Sequence, residues 1–167
     1  MEFRRLSKSD LSICFASRLR ALEHSPSAFL TTLAEEKERG LPFFERILSM
    51  PGHDNLIFGA VLNDTVVGTI GIYQENRPKT RHRSMIWGMY VDVDQRGRKI
   101  GGTLLDMAIK HAQEKMKVTT ISLSVESTND GARKLYESRG FKCWGTEPKA
   151  MCTDGHYYDE DHLMLQL

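Results

Sequence analysis

The sequence predicts an α/β protein of the α+β kind, built on a mixed sheet with helices on both faces. Three observations carry this. Strand-like and helix-like runs succeed one another in the order β-α-α-β-β-β-α-β-α-β-β. Three strand-like runs in the middle follow one another without a helix between them, which excludes a doubly wound parallel sheet. The chain has 167 residues, so a single domain over residues 1–167 is the expectation.

Taken in order, Glu2–Leu6 alternates as a first strand. Ser7 or Ser9 with Asp10 then opens a helix in which Leu11, Phe15, Leu19 and Leu22 repeat at helical spacing. Ser25-Pro26-Ser27 breaks it. Thr31–Gly40 and Pro42–Met50 read as one helix or as two short ones divided at Gly40-Leu41-Pro42, and Pro51–Asp54 reads as a loop. Asn55–Leu62 is strand-like, Asn63-Asp64 suits a tight hairpin because both residues tolerate positive φ, and Thr65–Tyr73 is the returning strand. A polar loop, Glu75–Arg83, leads to a strand in which Met85, Trp87, Met89 and Val91 are expected to share one face. A helix from about Ile100 carries a buried stripe of Ile100, Leu104, Leu105, Ala108, Ala112 and Met116, with Lys115 and Lys117 at the favourable end of its dipole. Thr119–Glu126 is a strand. Thr128 or Asn129 caps a short helix, Asp130–Arg139, which stops at Gly140. Phe141–Glu147 and His156–Leu167 supply two final strands.

Composition sets the partners. With 23 basic and 22 acidic side chains the formal net charge is +1, so the excess of positive charge that nucleic-acid binders carry is absent, and attraction for anions has to be local. No apolar run approaches the ~20 residues that span a bilayer, and the N-terminus lacks the apolar stretch of a signal peptide. Cys14, Cys143 and Cys152 are scattered without CxxC spacing, as reduced thiols of a cytoplasmic protein would be.

The most informative stretch is Gln95–Gly102, QRGRKIGG, with Arg96, Arg98 and Lys99 among Gly97, Gly101 and Gly102 at the mouth of a helix. A helix N-terminus presents free N–H groups and a positive dipole end, and glycine lets backbone approach an anion, so Arg96–Gly102 reads as a pyrophosphate cradle. By itself the octet reads equally as a basic, glycine-rich turn with no ligand. Neither GxxxxGK[ST] nor GxGxxG is present, which disfavours a P-loop nucleoside triphosphatase and a dinucleotide fold.

Two segments extend the octet. Met89–Leu105 (MYVDVDQRGRKIGGTLL) and Ser127–Phe141 (STNDGARKLYESRGF) together resemble the GCN5-related N-acetyltransferase (GNAT) family. The first is similar to that family's acetyl-CoA motif, a strand followed by R/Q-x-x-G-x-G/A, here Arg96-Gly97-Arg98-Lys99-Ile100-Gly101. The second is similar to its Asn-x-x-Ala-x-x-x-Tyr-x-x-x-Gly-Phe signature, through Asn129, Ala132, Tyr136, Gly140 and Phe141. One position departs. Lys99 stands where the motif usually has glycine, and it is expected to keep a negative φ, leaving flexibility to Gly97 and Gly102.

The resemblance implies the acyl-CoA N-acyltransferase fold and direct transfer of acetyl from acetyl-CoA to a primary amine on a small molecule or peptide. The amides of Arg96, Gly97, Arg98, Lys99, Ile100, Gly101 and Gly102 would hold the coenzyme A pyrophosphate. Met89, Tyr90 and Val91 would pair with the pantetheine arm, Asn129 would bond it, and Tyr136 would protonate the leaving thiolate. The other class that fits is a catalytically silent CoA or acyl-CoA sensor or scaffold. A phosphotransferase lacks an acidic Mg²⁺ pair near the loop.

The base that deprotonates the amine is less legible. Some amino-terminal acetyltransferases carry a glutamate where this chain has Ser124. Glu75, at the end of the third strand, is the candidate catalytic carboxylate, and Glu126 is another, with a solvated carboxylate as the ordinary reading of either. Glu35 and Glu36 could hold a cationic acceptor or form a solvated helix face. Asp154–His162 is rich in His and carboxylates, but its spacing matches no standard zinc pattern, so no metal is expected. No Ser/His/Asp or Cys/His/Asn constellation has sequence support, which disfavours a covalent acyl-enzyme. Whether the chain forms a homodimer is open at this level.

Overall fold

The computed structural model describes residues 1–52 and 54–167; within the predicted loop Pro51–Asp54, His53 lies outside the described residues. Seven strands form one sheet in the order β1-β2-β3-β4-β5-β7-β6, where β1 is Glu2–Arg5, β2 Asn55–Leu62, β3 Thr65–Gln74, β4 Arg83–Val91, β5 Thr120–Glu126, β6 Lys142–Thr153 and β7 His156–Gln166. Every pairing is antiparallel except β4 with β5. The helices are α1 (Leu11–His24), α2 (Leu33–Arg39), α3 (Pro42–Ser49), α4 (Ile100–His111, prolonged by a wider turn over Ala112–Met116) and α5 (Asp130–Glu137). The mixed sheet with helices on both faces is the predicted one. Of the two readings left open before α3, the structure takes the pair of short helices. Gly40, at φ +65, ends α2, and Pro42 opens α3 at a position where its missing N–H costs nothing.

One face of the sheet buries α4 and α5. Ile100, Leu104, Leu105, Ala108, Ala112 and Met116 are all buried there, as their spacing predicts, against Leu56, Ile70, Ile72, Ile121 and Leu123. The other face buries α1 and α3 around Leu6, Cys14, Phe44, Ile47, Ile57 and Val66. The buried residues of α1 are Cys14, Ser17, Ala21 and Leu22, so of the four apolar residues expected inside only Leu22 is fully covered. The 3-10 turn Lys8–Asp10 that leads into this helix opens with the Ser7–Asp10 capping box and is tied to β1 by paired hydrogen bonds from Arg4 to the Asp10 carboxylate, each 2.7 Å. Asn63 and Asp64 have φ of 47° and 59°, the hairpin conformation expected of them.

Two strands depart from expectation. Met89 and Val91 do not share a face with Trp87. At Gly88, φ +60, a bulge sets Gly88 and Met89 of β4 opposite Ile70 alone. Trp87 packs toward Phe43 of α3, whereas Met89 and Val91 turn to the α4 side. Glycine is required just before the bulge too: a Cβ on Gly71 would sit 2.3 Å from the Trp87 ring. The second departure is β6, which runs on to Thr153 instead of ending at Glu147. It tolerates Pro148 because it is the sheet's edge strand, with a register shift between Glu147 and Met151.

Candidate active site

The parallel pair β4–β5 exists only at its start, from Arg83↔Thr120 to Met85↔Ser122. Beyond Met85 the strands part, and this splay opens a cleft of about 490 Å³. Backbone groups that a neighbouring strand would have taken are left on the edge of β4, the arrangement an extended ligand can pair with. The floor is Met89, Tyr90 and Val91. One end is Arg96, Gly97, Lys99, Ile100, Gly101 and Gly102. The far wall is α5, through Asn129, Ala132, Leu135 and Tyr136, and the α1–α2 connection closes over with Ala28 and Phe29. Of the residues read from sequence as binding the carrier, only Arg98 does not line this space.

At the glycine-rich end the chain turns tightly. Gly97 has φ +75, and Lys99 is left-handed at φ +62, ψ +9. The expectation of a negative φ at Lys99 is therefore corrected. Alternation of left- and right-handed residues at Lys99 and Ile100 points successive N–H groups into one concavity, and that geometry dominates even for a lysine. Gly102 is helical and supplies no flexibility. Its lack of a side chain serves packing instead, since a Cβ would lie 2.6 Å from the Arg139 guanidinium, which pairs with Asp106. A Cβ on Gly101 would lie 3.2 Å from Leu135 and 3.3 Å from Met89. Thr103 N–H bonds the Lys99 carbonyl, while the N–H groups of Lys99, Ile100, Gly101 and Gly102 have no acceptor among the described residues. They are the orphan donors of a helix start, with the positive dipole end behind them. Arg96 is held beside them by hydrogen bonds to the Val91 carbonyl (3.1 Å) and the Ser25 hydroxyl (3.4 Å).

Asn129 caps α5 and lines the cleft: its Oδ1 accepts from Ala132 N–H at 3.2 Å, and its amide N–H₂ has no partner among the described residues. Tyr136, 6% exposed, points its hydroxyl at the Met89 sulfur, 3.2 Å away, and lies edge-on to Phe141. Burial alone pushes this phenol well above its ordinary value, so it holds its proton across the physiological range. Tyr90 reaches toward α1, its hydroxyl 3.2 Å from His24 Nδ1, and burial with Asp92 nearby pushes it up to about 12.

The carboxylate candidates separate. Glu75 is not brought to the cleft. The register Gln74↔Ser84 sets it beside the start of β4, away from Met89 at the other end, in a different recess with Asn55 and Tyr73. Glu35 is the last member of the Thr32 capping box. Glu36, 1% exposed, accepts from Arg18 Nε at 2.8 Å. Arg18 stacks on Phe29 and lines a narrow recess at Gly88, and its two terminal N–H₂ groups have no partner among the described residues. Glu126 accepts from the Thr128 N–H (3.0 Å) and hydroxyl (2.5 Å), closing the turn into α5. No group of His, Cys, Asp or Glu placed to hold a metal occurs among the described residues, and no helix among them is long and apolar enough to cross a membrane.

A second, smaller recess of about 80 Å³ opens from the cleft at Met89, Asn129 and Tyr136 and runs between β4 and β5 to Ser124. There the structure holds a constellation that the sequence does not disclose. Ser124 Oγ is 3.0 Å from His162 Nδ1, and His162 Nε2 is 3.2 Å from a Glu147 oxygen. Trp144, bulged out of β6 and largely exposed, stacks on the imidazole at 5.4 Å.

The model of the acetyltransferase (GNAT) family matches residues 19–141. The L-amino acid N-acetyltransferase of Escherichia coli is 28% identical over 145 residues, covering 87% of this chain and 88% of that protein. The mycothiol acetyltransferase of Brachybacterium faecium is 26% identical over 146 residues, of which this chain spans 41% of the length. Among solved structures, the ribosomal-protein-alanine N-acetyltransferase of Brucella melitensis superposes with a TM-score of 0.83 at 25% identity, covering 100% of both chains. The Salmonella typhimurium protein yncA, solved with its cofactor acetyl-CoA, gives 0.83 at 21% identity over 100% of this chain and 94% of the other, a likeness of fold.

Proposed function

Because the chain belongs to the GNAT family and is an acetyl-CoA-dependent acetyltransferase, we propose that residues 1–167 form one domain that passes acetyl directly to a primary amine in a ternary complex. One observation carries the reading: a row of unbonded N–H groups, Lys99 to Gly102, faces one end of the cleft, and the Tyr136 hydroxyl faces its interior. Those amides hold the diphosphate of coenzyme A, with Arg96 and the Lys99 ammonium adding charge. The open edge of β4 at Met89–Val91 pairs with the pantetheine arm, and the Asn129 amide donates to it. The thioester supplies an acyl carbon that an uncharged amine can attack.

As the C–S bond breaks, Tyr136 gives its proton to the departing sulfur. Its raised pKa does not forbid this, because the apolar surroundings that keep the phenol neutral raise the basicity of a thiolate formed beside it as well. The acceptor enters from the recess at Gly88 and Ser124. The Escherichia coli relative is named for L-amino acids, and the free terminal N–H₂ groups of Arg18 beside Gly88 suit an acceptor that bears a carboxylate.

The test is thiol release from acetyl-CoA with a panel of L-amino acids, spermidine and an alanine-initiated peptide. Amine-dependent release is expected, strongest among the amino acids. Tyr136→Phe is expected to lower turnover about 100-fold with little change in acetyl-CoA affinity. Wild-type turnover in that variant would remove Tyr136 from the role, and release independent of any amine would refute transfer.

A further inference from the structure

We propose that Ser124, His162 and Glu147 form a proton relay that takes the acceptor's ammonium proton out of the recess, with Ser124 the catalytic group that touches the amine and His162 and Glu147 acting through it. The proposal rests on the reading of this cleft as the acetyl-transfer site.

The chain of contacts fixes its own direction. Glu147 can only accept, so the neutral imidazole keeps its proton on Nε2, 3.2 Å from that carboxylate. Nδ1 is then an acceptor, and the Ser124 O–H, 3.0 Å away, donates to it. Ser124 lines the recess, whose walls include Met89 and Tyr136, and its Oγ keeps lone pairs with which to accept a proton there. No loop positions these groups. Ser124 and His162 are directly paired across β5 and β7, and His162 is paired with Gly145 on β6. Alternation sends Leu123 and Val125 into the core beneath α4 and α5, which leaves the Ser124 and His162 side chains on the opposite face. Gly145 leaves space beside the imidazole, and the register shift between Cys143 and Gly145 brings Trp144 flat against it.

The groups that face the imidazole are consistent with an uptake of positive charge. Glu147 lies across β6. On β7 itself Glu160 shares the His162 face and is pushed up by burial, His162 opposing and the Glu147 charge adding, whereas Asp161 lies on the other face, opposite Val125, where it pairs with Arg133. Glu126 is paired with Glu160 from β5, and the connection over this face contributes only Ala28 and Phe29 to the recess.

The step balances as follows. An N–H bond of the acceptor's ammonium breaks as its proton passes to Ser124 Oγ, while the Ser124 proton moves to Nδ1. The products are a neutral amine, an intact serine and an imidazolium paired with Glu147. The amine nitrogen then forms the C–N bond, the C–S electrons leave on sulfur and take the Tyr136 proton, and the second N–H proton restores the phenol. The imidazolium releases its proton to solvent through its exposed edge. The net change is one amide, one thiol and one proton.

Ser124→Ala and His162→Gln test this with the fastest amine of the panel above, following kcat/KM from pH 6 to 10 by thiol release, with acetyl-CoA binding measured by calorimetry. Both variants are expected to lose about 100-fold at neutral pH. They should recover toward wild type above about pH 9, where the amine sheds its proton unaided, and bind acetyl-CoA with unchanged affinity. Wild-type rates at neutral pH, or a loss that is uniform across pH, would overturn the relay. Mass spectrometry showing acetyl on Ser124 without amine would replace it by a covalent route. Absence of binding heat in the wild type would mark failure of the acetyl-transfer reading itself and take the relay with it.

Discussion

Lys99→Gly tests whether the turn into α4 is held under strain for the sake of charge. Lys99 is a side-chain-bearing residue at φ +62, ψ +9, a conformation that costs such a residue about 1–2 kcal/mol relative to right-handed backbone. Glycine removes that cost, offset by about 0.4–1 kcal/mol because its unfolded chain is freer. The lysine ammonium has no partner among the described residues, so nothing else is lost from the free protein. The variant should therefore be more stable by about 0.5–1 kcal/mol, a rise in Tm of about 1–4 °C at this chain length. Binding should move the other way. An exposed cation near a phosphate contributes about 0.2–1 kcal/mol, so the acetyl-CoA Kd should rise about two- to five-fold at low salt, with the difference vanishing in about 0.5 M salt where charges are screened. Thermal unfolding by circular dichroism without ligand, and calorimetric titration at two salt concentrations, measure both. A fall in Tm would refute the strain, and an unchanged Kd at low salt would refute contact between the ammonium and the ligand.

Two further outcomes are expected. Gly101→Asp should weaken acetyl-CoA binding more than 100-fold, because its Cβ meets Leu135 and Met89 at 3.2–3.3 Å and its carboxylate opposes the phosphates in the cradle; unchanged affinity by calorimetry would mean the diphosphate binds elsewhere. Asp10 governs acid stability. Its hydrogen bonds to the Arg4 guanidinium lower its pKa from 3.8 to about 2, so its contribution is present above about pH 4 and lost as pH falls through about 2. By linkage that contribution is about 2 kcal/mol. Denaturant unfolding should find Asp10→Asn less stable by about that amount at neutral pH, with the gap closing toward pH 2, and a gap independent of pH would refute the assignment.

Where a property depends on spacing along a single element, the sequence determined it. The stripe from Ile100 to Met116 is legible because helical periodicity places those side chains on one face whatever lies opposite. The Asn63-Asp64 hairpin, the Asn129 cap and the glycine-rich cradle are legible because turn and cap chemistry is local. Together with the Tyr136 signature they sufficed to name the family, and of the carrier-binding residues read from sequence only Arg98 lies off the cleft, whereas Ala28, Phe29 and Leu135 of its lining were not read.

Tertiary structure decided whatever depends on what lies opposite. The face that Met89 presents follows from a bulge against Ile70, since one extra residue reverses every side chain beyond it, and strand alternation read from β4 alone gives the wrong side. Lys99 takes a positive φ because the cradle's geometry outweighs the residue's own preference. Glu75 carries a plausible charge at a plausible place in the chain, yet the register of β3 on β4 sets it at the wrong end. Ser124 and His162 are 38 positions apart, and Glu147 lies between them in sequence. Nothing in any one segment says that β5, β7 and β6 will align in that order, so the hydrogen-bonded chain the three residues form exists only once long-range pairing has brought the strands together.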